Sequence, residues 1–176
     1  MRSLLVVTGP PGAGKSTVAE AIGAQLNPSA VVEGDAFFRF LRTGWIAPWL
    51  PEADDQNTIV TYAAGAAAGR YATGGLHTIY DGVIGPWFLD DFLASTGLTT
   101  LEYAVLLPPV DLCVQRVLTR ENHGFKDEAA TRHMHDQFTS RAAASRHVFY
   151  DPSHSAQTLA ADILDAQSRG RLRYPG

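Results

Sequence analysis

Residues 9–17 read Gly9-Pro10-Pro11-Gly12-Ala13-Gly14-Lys15-Ser16-Thr17. Glycines this dense mark a tight loop, because glycine takes left-handed backbone without a steric cost. The flanks restrict the loop further. Leu4-Leu5-Val6-Val7 before it is an apolar run, long enough for a buried strand and too short for a helix. After it, Val18, Ala19, Ile22 and Leu26 recur at helical spacing. The nine residues also fit the pattern G-x-x-x-x-G-K-[ST] in its required context of strand, loop and helix. That pattern predicts a phosphate cradle. Backbone N–H groups of Gly9, Gly12, Ala13 and Gly14 turn inward at the positive end of the helix. Lys15 reaches the β and γ phosphates of a nucleotide, and the Ser16 hydroxyl ligates Mg²⁺. Thr17 is expected under the loop or near the α phosphate.

The rest of the chain alternates strand-like and helix-like segments, the α/β pattern. Strands are predicted near Leu4–Thr8, Ala30–Glu33, Leu76–Asp81, Leu101–Leu107 and Val148–Asp151. Helices are predicted over Lys15–Leu26, Ala36–Leu41, Asp54–Ala72, Pro86–Ser95, Val110–Thr119, Glu128–Arg146 and Ser155–Ser168. Strands joined by helical crossovers imply a parallel sheet with helices on both faces and ligands at the carboxyl ends of the strands. The glycine loop, Asp35, Asp81 and Asp151 then share one rim.

At 176 residues the chain is the size of one domain, expected to span 1–176. Its net charge of −4 is opposite to what a nucleic-acid partner favours, so none is expected. No apolar run approaches the roughly 20 residues that span a bilayer, and Arg2 is followed by too few apolar residues for a signal peptide. Cys113 is the single cysteine and has no internal disulfide partner. A cytoplasmic protein without membrane contact, monomeric or homodimeric, is expected.

Gly34-Asp35 closes the second predicted strand, which points Asp35 at the γ-phosphate across the cleft. There its carboxylate is a candidate to orient an acceptor hydroxyl and take its proton; the alternative is a cap for a helix starting at Ala36. Asp81 ends the third strand, where it resembles the second carboxylate of phosphate-loop enzymes, which holds Mg²⁺ directly or through water, and it is also a candidate on the acceptor side. It also suits the Asp81-Gly82 turn by itself. Asp35 and Asp81 can exchange these roles. Arg39 and Arg42 follow Asp35 on roughly one helical face, candidates to clamp an anionic group on the acceptor or plain exposed arginines. Trp45, Trp49, Trp87, Phe37 and Phe38 offer apolar surface for a pocket or for the core.

Arg116 and Arg120 lie four apart on one helix face, and Arg120 opens a polar segment containing Gly124. An arginine-bearing lid over about residues 121–128 would supply charge and exclude water during phosphoryl transfer. Arg132 and Arg141 follow on the next helix as weaker candidates. His123, His133 and His135 do not read as a metal site, since positions 133 and 135 point to different sides of a helix.

With these residues, the chain resembles the small phosphate-loop (P-loop) kinases, which include gluconate kinases, shikimate kinases and chloramphenicol phosphotransferases. The resemblance runs from Met1 to about Ser168. It is specific at the loop Gly9–Thr17, at Gly34-Asp35, at Arg116…Arg120…His123-Gly124-Phe125-Lys126 and at Tyr150-Asp151-Pro152-Ser153. Gluconate kinases are the most similar: they carry a GD after the second strand, a Pro-Trp-Leu (Pro48-Trp49-Leu50 here) and a Gln-Phe (Gln137-Phe138 here). The resemblance implies a three-layer P-loop fold, α/β with a five-stranded parallel sheet in the order 2-3-1-4-5. It implies ATP and Mg²⁺ as cofactors and a small hydroxylated acceptor. It places Arg116 against the adenine, Arg120 at the transferring phosphates and Asp151, Pro152 and Ser153 along the base pocket. The chain departs from gluconate kinases after Asp35. There Ala36-Phe37-Phe38-Arg39 stands where they have His-Pro and a lysine-containing segment, so a sugar-acid pocket does not carry over.

Overall fold

A computed structural model describes residues 3–120, 125–141 and 143–175 of the chain. Strand β1 (Leu4–Thr8) is buried along its whole length. Its side chains alternate: Leu4 and Val6 enter one hydrophobic cluster, Leu5 and Val7 another. A strand apolar on both faces needs cover on both, which is what a parallel sheet receives from its crossover helices.

That cover defines three layers. On one face helix α1 (Lys15–Gly23) packs Val18, Ala19 and Ile22 onto the sheet. Helix α7 (Ala156–Ser168) lies beside it with Ala160, Ile163 and Ala166. On the other face helix α3 (Asp54–Thr73) presents Ala64, Ala68 and Ala72, and α4 (Leu89–Thr96) adds Leu89 and Phe92. Helices α2 (Gly34–Phe38), α5 (Val110–Thr119) and α6 (Glu128–Ser140) complete the set.

The strands β2 (Ser29–Glu33), β3 (His77–Asp81), β4 (Leu101–Leu106) and β5 (Val148–Phe149) join β1 in the order β2-β3-β1-β4-β5, as expected, with every pairing on that path parallel. A sixth strand, β6 (Arg173–Tyr174), was not anticipated. It pairs antiparallel with Leu101 and Glu102 on the β4 edge that β5 uses at Val105 and Leu106. β5 is a two-residue strand that stops before Tyr150, shorter than the expected Val148–Asp151.

Register positions the chemistry. Asp81 lies opposite Val7 of β1 and opposite Glu33 of β2. Two residues past Val7 the glycine loop begins, and two past Glu33 comes Asp35. With neighbouring strands about 4.8 Å apart, three chain segments deliver their polar residues to one stretch of rim.

Several boundaries differ from expectation. Helix α1 stops at Gly23, where an added Cβ would stand 2.9 Å from Val31, and two turn bonds (Gln25 N to Ile22 O, Leu26 N to Gly23 O) lead out of it. Helix α6 ends at Ser140, not Arg146. A single turn at Ser145–His147 then carries buried His147 to the backbone of β4, where its Nδ1 meets Tyr103 O at 2.9 Å. Helix α2 begins at Gly34, two residues early.

Candidate functional site

Gly9, Gly12 and Gly14 all take positive φ, at 144°, 78° and 94°. At Gly9 an added Cβ would overlap the Leu106 carbonyl oxygen; at Gly12 it would overlap that of Cys113. The loop is thus pressed onto the end of β4 and the start of α5, and only glycine fits there. Gly14 is the N-cap of α1, so the first N–H groups of that helix face the loop.

Lys15 is half-buried, and its Nζ donates to the Pro10 carbonyl at 3.2 Å, back across the loop. Burial pulls its pKa down, opposed by the charges of Asp81 and Asp35, while the Arg120 guanidinium pulls it down further. Asp81 is 7% exposed. Burial pushes its carboxyl up; the Ser16 hydroxyl and the Lys15 charge pull it back, and Asp35 and Glu33 push it up again. A buried carboxylate with a serine hydroxyl beside it offers hard oxygen donors of the kind a divalent cation takes. Ser16 and Asp81 therefore fit Mg²⁺.

Because α2 starts at Gly34 with Glu33 as its N-cap, Asp35 lies inside the first turn and is not the cap residue. It is exposed and acts electrostatically on Lys15, Asp81 and Arg120. Arg120 follows α5 as its C-cap residue, in extended conformation. Its Nη2 donates to Phe125 O at 3.1 Å, and burial lowers its pKa against the pull of Asp35. Lys15, Ser16, Asp35, Asp81 and Arg120 form one mutually interacting set.

The remaining predicted residues fall around that set. Thr17 is exposed on the first turn of α1. Arg39 is exposed and 3.8 Å from Glu33; Arg42 is exposed and, among the described residues, has no ion pair. Arg132 is engaged with Asp111 and Glu128, both at 2.9 Å, and Arg141 lies over the Trp87 ring. Half of the predicted lid, residues 121–124 with His123 and Gly124, lies outside the described residues; of the other half, Asp127 N-caps α6 and Glu128 begins it.

A second cleft of about 110 Å³ opens beside the glycine loop. Ala13, Arg116, Asp151 and Pro152 line it, as do Leu112 and His154, which were not anticipated. Arg116 Nη1 donates to Gly12 O at 3.3 Å, so this side chain spans from α5 to the loop. Asp151 Oδ1 accepts from Ser153 N at 2.8 Å and from Ser153 Oγ at 2.6 Å, which holds its carboxyl below the usual range. His154 sits between Asp151 and Asp162 of α7, at 3.5 and 2.9 Å. Its position three residues after Asp151 was the available signal. Tyr80 was also missed. Buried beneath the carboxylates, its hydroxyl pushed up in pKa by burial and by Asp35 and Asp81, it fills space left by Gly34 and Gly82.

No curated protein matches the sequence. Among solved structures, a sugar kinase from Janibacter superposes with a TM-score of 0.71 at 18% identity, over 96% of this chain and 95% of that one. A gluconokinase from Sinorhizobium meliloti matches with a TM-score of 0.64 at 18% identity, covering 97% and 94%. APS kinase from Mycobacterium tuberculosis, in complex with AMPPNP and APS, matches with a TM-score of 0.66 at 17% identity, covering 94% and 97%. The sequence model of the AAA domain family matches residues 4–145, from the first buried strand to the turn before β5. A match over that much of its length means that the chain belongs to the AAA domain family, and its fold is that of the small phosphate-loop kinases.

Proposed function

We propose that this chain, as one domain over 1–176, is an ATP- and Mg²⁺-dependent phosphotransferase that moves the γ-phosphate of ATP to a hydroxyl of a small molecule. One observation carries the reading: a lysine, two carboxylates and an arginine from four different elements meet beside a glycine loop on the sheet rim. Phosphoryl transfer asks for this combination, since its transition state spreads negative charge over oxygens that need fixed cations and an in-line nucleophile.

The residues divide the work. Loop amides and Lys15 hold the β and γ phosphates, while Arg116, Asp151, Pro152 and Ser153 border the base. Ser16 and Asp81 hold Mg²⁺, which when bound neutralises charge on the phosphates. Asp35 takes the proton of the acceptor hydroxyl as that oxygen bonds to phosphorus and the bond to the bridging oxygen breaks, releasing ADP. Arg120 balances charge on the transferring group. Arg39 and Arg42 stand at the acceptor side, and the setting is cytoplasmic, where ATP is available.

The test is ATP consumption against a panel of gluconate, shikimate, nucleoside monophosphates and chloramphenicol-like antibiotics. One acceptor should stimulate consumption strongly, and Lys15→Ala should remove at least about 10²-fold of that activity. ATP turnover that no acceptor changes, together with a nucleotide-dependent protein partner, would make the chain a switch instead.

A further inference from the structure

The segment between α2 and α3 has little regular structure, yet α3 and the single turn before it fix it in place. Gln56, in the first turn of α3, grips Ile46 with both ends of its amide: Oε1 accepts from Ile46 N at 2.8 Å and Nε2 donates to Ile46 O at 2.7 Å. Asn57 Nδ2 donates to Pro48 O at 2.7 Å. Leu50 then N-caps the turn Pro51–Ala53 that leads into α3. Trp49 lies between these anchors, so its backbone position is set by a long helix and not by the loop itself.

Its ring meets Phe125 edge-on, with centroids 4.7 Å apart at 66°. Trp45 backs it at 6.5 Å and 76°. Phe125 in turn holds Arg120 twice: its carbonyl accepts from Nη2 at 3.1 Å, and the guanidinium carbon lies 5.9 Å from the ring centroid. Arg120 needs such support. It stands at the C-cap of α5, where helical backbone has ended, with its backbone N–H bonded to Arg116 O. Its Nε is buried and, among the described residues, without a hydrogen-bond partner. A guanidinium tied at one nitrogen and unfilled at another is set to receive an anion.

We propose that Trp49 is a positioning residue: by packing on Phe125 it fixes the carbonyl and ring that aim Arg120 toward Lys15 and Asp35. The proposal rests on the reading of Arg120 as the cation for the transferring phosphate. It links the aromatic segment on the acceptor side to the charge on the phosphate side. Aromatic contacts of this geometry attract beyond the area they bury. The leverage comes from aim, because a misplacement of about 1 Å can cost about 10²-fold in rate.

One readout needs no acceptor. In protein labelled with ¹⁵N-arginine, the Nε–H resonance of Arg120 is identified by its loss in Arg120→Lys. It should be protected from solvent exchange roughly 10-fold or more over exposed arginines. Trp49→Ala should abolish that protection and Trp49→Phe should keep most of it. An Arg120 resonance unmoved by Trp49→Ala overturns the proposal, whether or not the chain is a kinase. Should Trp49→Ala fail to fold, Trp49→Leu is read the same way.

The second readout is a double-mutant cycle on the acceptor found by the panel. Trp49→Ala should lower kcat about 10- to 100-fold with KM for ATP changed by less than about 2-fold. In an Arg120→Ala background the same substitution should cost less than about 2-fold, because its route is already gone. Independent, multiplying losses would overturn the proposal and make Trp49 an acceptor wall. Absence of any ATP turnover in the unmodified chain would count against the phosphotransferase reading alone, and the resonance would still decide the role of Trp49.

Discussion

Lys15 and Asp81 are each in the less favourable environment for their charge, and each is the other's relief. Burial pulls the lysine down and pushes the carboxyl up, while their mutual attraction opposes both shifts. A site in this condition gains when phosphate meets the lysine and a cation meets the carboxylate. Asp35 differs, being exposed and free of capping duty. On the proposed reading Asp35→Asn should lower kcat by about 10²-fold or more while ATP affinity stays nearly constant, measured by steady-state kinetics beside calorimetric titration of ATP. An unchanged kcat would reduce Asp35 to a bystander of the α2 turn. At this scale the phosphate loop was legible because its spacing is stereochemical: positive φ at Gly9, Gly12 and Gly14 is a demand that the residue type itself records. Tyr80 was not legible. An aromatic in a strand reads as core, and only the packing of Gly34 and Gly82 around it shows that its hydroxyl lies under two carboxylates.

Among the elements, α3 is the one whose sequence most invites misreading. Its run of alanines and glycines has glycine at positions 65 and 69, where helix propensity alone favours alanine by about 1 kcal/mol each. Packing reverses that preference. A Cβ on Gly69 would stand 2.7 Å from the Thr96 carbonyl carbon and 2.8 Å from its Cα, both backbone atoms at the end of α4. A Cβ on Gly65 would press mainly on the Ser95 hydroxyl, a side chain that can turn aside. Gly69→Ala should therefore destabilise by about 1–3 kcal/mol, and Gly65→Ala by less, read as shifts of the urea midpoint. A gain at position 69 would mean that α3 and α4 are not held this close. Strand order came only with the resemblance to the small phosphate-loop kinases, whereas helix existence was legible because apolar periodicity encodes it. Helix ends were not: α6 stops at Ser140 because His147 must reach Tyr103, a contact 44 residues away in sequence.

Across the whole molecule, His147 couples stability to pH. It is 3% exposed, its Nδ1 lies 2.9 Å from Tyr103 O, and its Nε2 accepts from Arg146 Nε at 3.2 Å. That arrangement uses the neutral ring, and burial holds its pKa below the usual histidine value. The unfolded chain then binds more protons as pH falls through about 6.5, so this contribution is full above that pH and is lost as pH drops toward the lower folded pKa. Urea midpoints should fall as pH drops below about 6.5, with a slope from this group of at most about 1.4 kcal/mol per pH unit. His147→Asn should flatten that slope, whatever it does to stability at neutral pH. An equal slope in both proteins would assign the effect elsewhere. Among the described residues no helix is long and apolar enough to cross a membrane.

The sequence by itself determined the α/β class, the phosphate loop and the order of the five parallel strands, the last through its resemblance to a family. The first two are local or periodic: a glycine's φ, an apolar run, a helical repeat. The tertiary structure alone decided which of many polar residues meet. Register set Asp81 between Val7 and Glu33, α2 began at Gly34 with Asp35 inside its first turn, and Phe125 came to lie between Arg120 and Trp49. Those meetings depend on distances between segments far apart in the chain, and no spacing within one segment contains them.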